Sequence, residues 1–142
     1  MNSSDSDTAY RDLPFADYAG RELCLDLYLP ENVEPPLPTV MLIPVGGWRN
    51  SQRPEARPWL TKYGFAVAAI DCRVHPEVTA PATVFDCKAG IRWLRAKGTE
   101  YGVDPSRIGT WGGSAGGHLS ALMAVTGDVA ALEGNGGHAG VS

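Results

Sequence analysis

A serine set among glycines, between a β-prone stretch and a helix-compatible one, constrains this chain more than any other feature. The run is Trp111-Gly112-Gly113-Ser114-Ala115-Gly116-Gly117-His118, and it contains G-x-S-x-G. Arg107-Ile108-Gly109-Thr110-Trp111 leads into it and Leu119 to Val125 leads out. Strand, sharp turn and helix is the setting in which a serine is held on a strained elbow with its hydroxyl exposed. Glycine is needed at Gly112 and Gly116 because the tight turn brings backbone segments together, where a Cβ would collide. The strand aims Ser114 at the carboxyl end of a sheet, and the helix N-terminus offers free N–H groups to an anion. The expectation is a nucleophile with half an oxyanion hole.

The rest of the chain supplies a sheet to carry that elbow. Tyr10 to Tyr18 is an edge strand interrupted by Pro14. Glu22 to Leu29 alternates, with Leu23, Leu25, Leu27 and Leu29 on one face and Arg21 and Asp26 toward solvent. A short turn at Ala19-Gly20 makes these two antiparallel, and a proline-rich connector follows over Pro30 to Pro38. Thr39-Val40-Met41-Leu42-Ile43 and Phe65-Ala66-Val67-Ala68-Ala69-Ile70 are continuous apolar runs, the mark of strands buried on both faces. A helix over Glu55 to Tyr63, closed by Gly64, separates them. The spacing of Val84, Cys87, Ile91 and Leu94 predicts a helix over Ala82 to Lys97, with Lys88, Arg92, Arg95 and Lys97 on a solvated face and Gly98 as its stop. Asp104-Pro105-Ser106-Arg107 reads as the turn into the elbow strand. Alternating strands and helices predict a three-layer α/β fold with a mostly parallel sheet, whose ligands bind beyond the strands' carboxyl ends. Both glycine-rich loops, after Ile43 and after Trp111, sit there and can face one another.

Composition narrows the setting. The 142 residues are 44% hydrophobic and 20% charged, as expected of one folded domain over residues 9–142 after a disordered polar tail at 1–8. A net charge of −4 argues against nucleic acid as a partner, and no apolar run approaches the roughly 18 residues of a membrane span. The polar, acidic start is no signal peptide, and Cys24, Cys72 and Cys87 read as buried free thiols, so the expected location is cytoplasmic. Without a C-x-x-C or a histidine pair, no metal is expected.

Several ordered segments resemble the α/β-hydrolase family, in its esterase/lipase branch of hormone-sensitive-lipase-like and feruloyl-esterase-like enzymes. They are Asp26 to Pro30, Gly46-Gly47-Trp48, Gly64 to Val67, Ile70 to Arg73, Asp86-Cys87-Lys88 with Ile91 to Arg95, Tyr101 to Pro105, and Trp111 to Leu119. The resemblance implies an α/β-hydrolase fold and a Ser–His–Asp mechanism on a small-molecule ester, without cofactor. It places the nucleophile on Ser114 and oxyanion donors on the N–H of Ala115 and in the loop of Gly46 and Gly47. The family's His-Gly-Gly-Gly-Trp reads Pro44-Val45-Gly46-Gly47-Trp48 here, a departure at its first two positions. The acid and histidine follow the serine on later strands in this fold. The chain is therefore read as the amino-terminal portion of such a hydrolase, truncated after the elbow helix and weak or inactive alone.

Other residues have plainer assignments. His118, four residues after Ser114, is expected to pack or hydrogen-bond, and Trp48 to wall an acyl pocket or pack its own loop. His75 stands near the mouth of the site. Asp71 is expected to satisfy backbone amides or Arg73. Asp128 and Glu133 lie too soon after the elbow helix to be the acid, and the glycine-rich Gly134 to Gly140 reads as a mobile end that leaves His138 inert. Two alternatives stay open: a non-catalytic remnant or interaction protein, and a prolyl-oligopeptidase-like peptidase, which shares G-x-S-x-G-G but not the Gly-Gly-Trp loop. An elbow strand without a neighbour on its outer side implies self-association, or pairing with a carboxyl-terminal half in trans.

Overall fold

The computed structural model describes residues 8–141, so the polar tail lies outside the described residues except for Thr8. Five strands, β1 (Thr8–Tyr18), β2 (Arg21–Leu29), β3 (Leu37–Leu42), β4 (Ala66–Ile70) and β5 (Val103–Trp111), form one sheet in the order β1-β2-β4-β3-β5. The β1/β2 and β2/β4 pairs are antiparallel, while β3 pairs in parallel with β4 and β5. The sheet is thus mixed, and its parallel part is the part that ends in the glycine-rich loops. Helices α2 (Ala82–Lys97) and α3 (Ala115–Val125) cover one face, and the short α1 (Pro58–Lys62) covers the other.

Burial follows from residue type. All five residues of β4 are buried, Ala66, Ala68 and Ile70 toward α2 and Val67 and Ala69 toward α1. Leu23, Leu25 and Leu27 are fully buried on the α2 face. Near Gly90 of α2, a Cβ would come within 3.0 Å of the Met41 sulfur, so glycine lets this helix lie close on β3. The Asp104–Arg107 turn survives as an irregularity inside β5: Leu37 pairs with Val103 but Thr39 with Ile108. Asp104 accepts hydrogen bonds there from Ser106 and Arg107, which hold its pKa down at about 2.

Three expectations about charge and mobility are overturned. Asp26 does not face solvent; it is 8% exposed and pairs with Arg53 at 2.6 Å. Lys88 and Arg92 are not on a solvated face either, being 5% and 3% exposed. Both reach Glu133, Lys88 at 2.5 Å and Arg92 at 3.1 Å, and they also donate to the carbonyls of Thr126 and Gly136. Finally, the glycine-rich end is packed rather than loose. A Cβ on Gly134 would strike Phe85, one on Gly136 would strike Tyr18, and one on Gly137 would strike the Phe15 carbonyl. The missing signal was long-range: helical spacing placed Lys88 and Arg92 opposite the apolar stripe but could not reveal the segment that returns over them.

Two predictions follow from this core. The Glu133 carboxylate is partly exposed but its partners Lys88 and Arg92 are buried, so removing it leaves two buried cations without their counter-charge, and Glu133→Ala should cost about 3 kcal/mol in urea unfolding. Glu133→Gln, which keeps an acceptor, should cost less. The second concerns pH. Burial, with help from Glu22, raises the Cys24 thiol to about 11, and burial raises Cys72 to about 12 and Cys87 well above its usual value. Burial and the Asp86 charge likewise raise Tyr18 to about 12. Each group keeps its proton when folded after the unfolded chain, with thiols near 8.5 and tyrosine near 10, has begun to lose it. Stability should therefore hold below about pH 8.5 and fall as pH rises from there. Melting curves between pH 7 and 10.5 check this, and a flat melting temperature would contradict it.

Candidate active site

The elbow is built on a backbone conformation that side chains rarely adopt. Ser114 has φ 52° and ψ −120° and stands just ahead of the first residue of α3. Such a conformation costs a non-glycine residue about 1–3 kcal/mol and persists only where its surroundings impose it. The surroundings are visible here. A Cβ on Gly112 would sit 2.5 Å from the Gly116 carbonyl carbon, and one on Gly116 would sit 2.7 Å from the Ile43 oxygen and 2.9 Å from the Pro44 oxygen. Strand end, turn, helix start and the loop after β3 are thus pressed together with no room for a methyl. Serine before a helix commonly caps it, but Ser114 makes no capping hydrogen bond, and the residue is exposed.

Opposite the elbow runs the loop Pro44 to Trp48. The Ile43 N–H donates to the Trp111 carbonyl at 2.9 Å, which fixes the two loops at one end of the sheet. Gly46, Gly47 and Trp48 have φ of 125°, 63° and 60°, so the loop bends back sharply. The Asn50 side chain holds the bend by donating to the Val45 carbonyl at 2.9 Å, and it fills the space a Cβ on Gly46 would need. No hydrogen bond among the described residues uses the N–H of Gly46 or Gly47. Ala115 begins α3, so its N–H has no intrahelical partner. Pro44 and Val45 do not push the loop away. Pro44 is buried, and Val45 comes within 3.5 Å of where a Gly113 Cβ would lie. The turn that carries Ser114 and Ala115 is therefore packed against Ile43, Pro44 and Val45, directly ahead of Gly46 and Gly47.

The histidines divide. His118 packs its ring edge-on against Trp48, centroids 5.5 Å apart, and Trp48 in turn is tied through its carbonyl to the His75 N–H at 2.9 Å. His138 lies on the segment packed against β1 and α2. Asp71 accepts from the Cys24 N–H at 2.8 Å, as expected, but Arg73 ignores it. Arg73 instead grips the fully buried Asp86, which also accepts from the Arg73 backbone N–H at 2.8 Å, and its guanidinium stacks 3.5 Å above the Tyr18 ring. This anchor holds the loop after β4 over the start of α2. Sequence reasoning passed over it, although an aspartate beside Cys87 on the apolar face of α2 was a signal. Among the described residues no cluster of His, Cys, Asp or Glu is placed to hold a metal ion, and no helix is long and apolar enough to cross a membrane.

The chain is similar to known esterases. The family model described as BD-FAE matches residues 25–140. The esterase LipQ of Mycobacterium tuberculosis is 35% identical over 128 residues, a match that takes in 86% of this chain and 30% of that protein. A solved structure described as a truncated form of a carbohydrate esterase from gut microbiota is 34% identical with a TM-score of 0.75, covering 87% of this chain and 46% of that one. An esterase of the Planctomycetes species Thermogutta terrifontis is 30% identical with a TM-score of 0.69, covering 84% and 44%. The chain thus spans about a third of the curated relative and under half of the solved structures.

The crowding at the elbow gives a direct check. Gly116→Ala places its methyl against two carbonyl oxygens of the facing loop, so it should destabilise the fold by about 1–3 kcal/mol. Gly109→Ala, where a Cβ meets nothing within 4 Å, should not. Chemical denaturation of the two variants decides between local crowding and a general intolerance of alanine.

Proposed function

The chain belongs to the esterase/lipase branch of the α/β-hydrolase family, and from that premise we propose that it is the amino-terminal portion of a serine carboxylic-ester hydrolase. The observation that carries the reading is the strained, uncapped and exposed Ser114 on a turn packed against the loop after β3. In the proposed reaction the Ser114 hydroxyl oxygen attacks the carbonyl carbon of a small-molecule ester. Its proton passes to a base supplied from outside this chain, and the carbonyl π electrons move onto oxygen. The N–H of Ala115, with that of Gly46 or Gly47, holds the resulting oxyanion. The base then returns the proton to the alcohol as the tetrahedral intermediate collapses to an acyl-enzyme. A serine with no base beside it stays protonated and attacks poorly. The relatives' names, esterases throughout those described, favour this reading over a peptidase.

The test is hydrolysis of p-nitrophenyl acetate by the purified chain. Alone it should show little turnover that depends on Ser114. With a carboxyl-terminal half carrying the acid and histidine supplied in trans, turnover should appear and vanish in Ser114→Ala. Robust activity of the chain alone, abolished by Ser114→Ala, would instead make His118 or His75 the base and overturn the fragment reading.

The same proposal covers association. β5 ends the sheet with one edge unpaired among the described residues, and Trp111 and Val125 beside it are 49% and 76% exposed. Open edges pair with other chains. Light scattering at micromolar concentration should find dimers or larger species, converted to a defined complex by the carboxyl-terminal half. A monodisperse monomer would contradict this.

A further inference from the structure

We propose that the cavity between α2 and the segment after α3 is a binding site for a small organic phosphomonoester, one that shares no residue with the elbow or with the reaction proposed above. Its volume is about 320 Å³. One face of α2 gives it Lys88, Arg92 and Arg95, spaced four and three residues apart. Among the described residues of its wall, Asp128 and Glu133 are the only acids, so three cations meet two carboxylates on a chain whose net charge is −4. Burying a cation is costly unless it is paired, and Lys88 and Arg92 are both buried. Glu133 reaches both of them with its carboxylate, so the structure already seats one oxyanion on this pair.

Glu133 leaves donors over. Lys88 gives two of its three N–H groups, to the Thr126 carbonyl and to Glu133. The Nη atoms of Arg92 serve the Glu133 carboxylate and carbonyl and the Gly136 carbonyl, while its Nε is buried with no hydrogen-bond partner. A buried donor left unpaired costs free energy that an incoming acceptor restores. Arg95 is exposed and engages no partner among the described residues, so its whole guanidinium fork is available. The head group follows from these donors. A phosphoryl group carries about −1.5 to −2 charge and three acceptor oxygens, one for each cation, whereas a carboxylate has two oxygens. Guanidinium forks also bind phosphate through paired hydrogen bonds. The rest of the wall, Ile91, Met123, Ala130 and Val141 with glycines, sets the body of the ligand. A free phosphate ion would leave that apolar surface in water, and a short alkyl or aryl ester covers it.

The experiment titrates the full chain with phenyl phosphate, inorganic phosphate and benzoate at constant pH and ionic strength, with amide and arginine Nε–H signals followed by NMR. Phenyl phosphate is expected to move the Arg92 and Arg95 Nε–H signals together with the amides of Asp128 and Glu133. It should bind about tenfold more tightly than inorganic phosphate. Arg95→Ala, at an exposed position, should weaken phenyl phosphate about tenfold and leave the melting temperature unchanged. Ala130→Phe, also exposed, should weaken phenyl phosphate but not inorganic phosphate. Inorganic phosphate binding as tightly as the ester would make the free anion the ligand and overturn the ester assignment. Benzoate binding as tightly as phenyl phosphate would overturn the choice of head group. Shifts confined to Ala115 would place the anion at the elbow, and an unchanged affinity in Arg95→Ala would take the third cation out of the site. Either result, like the absence of any shift at Arg92, overturns the proposal. Ser114→Ala should bind phenyl phosphate as the wild type does, so this site stands or falls apart from the reading of the elbow.

Discussion

Everything in this molecule that bears on chemistry depends on one close approach, that of the α3 start to the carbonyls of Ile43 and Pro44. At 2.7 and 2.9 Å from where a Cβ would stand, those oxygens leave no residue but glycine at position 116. The contact joins the parallel part of the sheet to the helix across the turn. With Gly112 equally crowded, Ser114 is left no regular helical or extended conformation, and its side chain projects outward instead of capping α3. Strain at the serine is therefore a property of two neighbours that lack side chains.

The second determinant is a set of buried charges on α2. Asp86 holds the loop after β4 through Arg73, and Lys88 and Arg92 hold the segment after α3 through Glu133. Such pairs are weak sources of net stability, because desolvation offsets much of their attraction. Their use here is positional. One helix, by pointing charges both ways, fixes the wall beside Trp48 on one side and the packed glycines 134–137 on the other. Those glycines serve close packing against Phe85, Tyr18 and Phe15.

What could be read in advance divides along the same line. Local signals carried far: the period of α2, the unbroken apolar runs of β3 and β4, and the glycine spacing about Ser114 each describe a few consecutive residues and depend on little else. The antiparallel β1–β2 pair was legible for the same reason. Failures came where a distant segment decided the outcome. Asp26 looked solvent-facing until Arg53 met it, and Arg92 until Glu133 returned over it. The turn at Asp104 was recognised, but its absorption into β5 depends on pairing with Leu37. Within the site, the glycine spacing foretold the crowding of the elbow against the loop after β3, whereas the cavity behind Trp48 needed the folded loop after β4 to exist at all.

The central claim is that Ser114 is forced into a conformation glycine prefers, and a comparison of two substitutions reaches it without any assay of activity. At an ordinary position glycine is less stable than alanine by roughly 0.5–1 kcal/mol, because its unfolded chain is freer. At a strained left-handed position the order inverts, since glycine relieves about 1–3 kcal/mol. Denaturant unfolding of Ser114→Gly and Ser114→Ala should find the glycine variant more stable, by about 1 kcal/mol once the opposing terms are combined. An alanine variant as stable as the glycine variant, or more so, would mean that the elbow is not strained and that the account of this site is wrong.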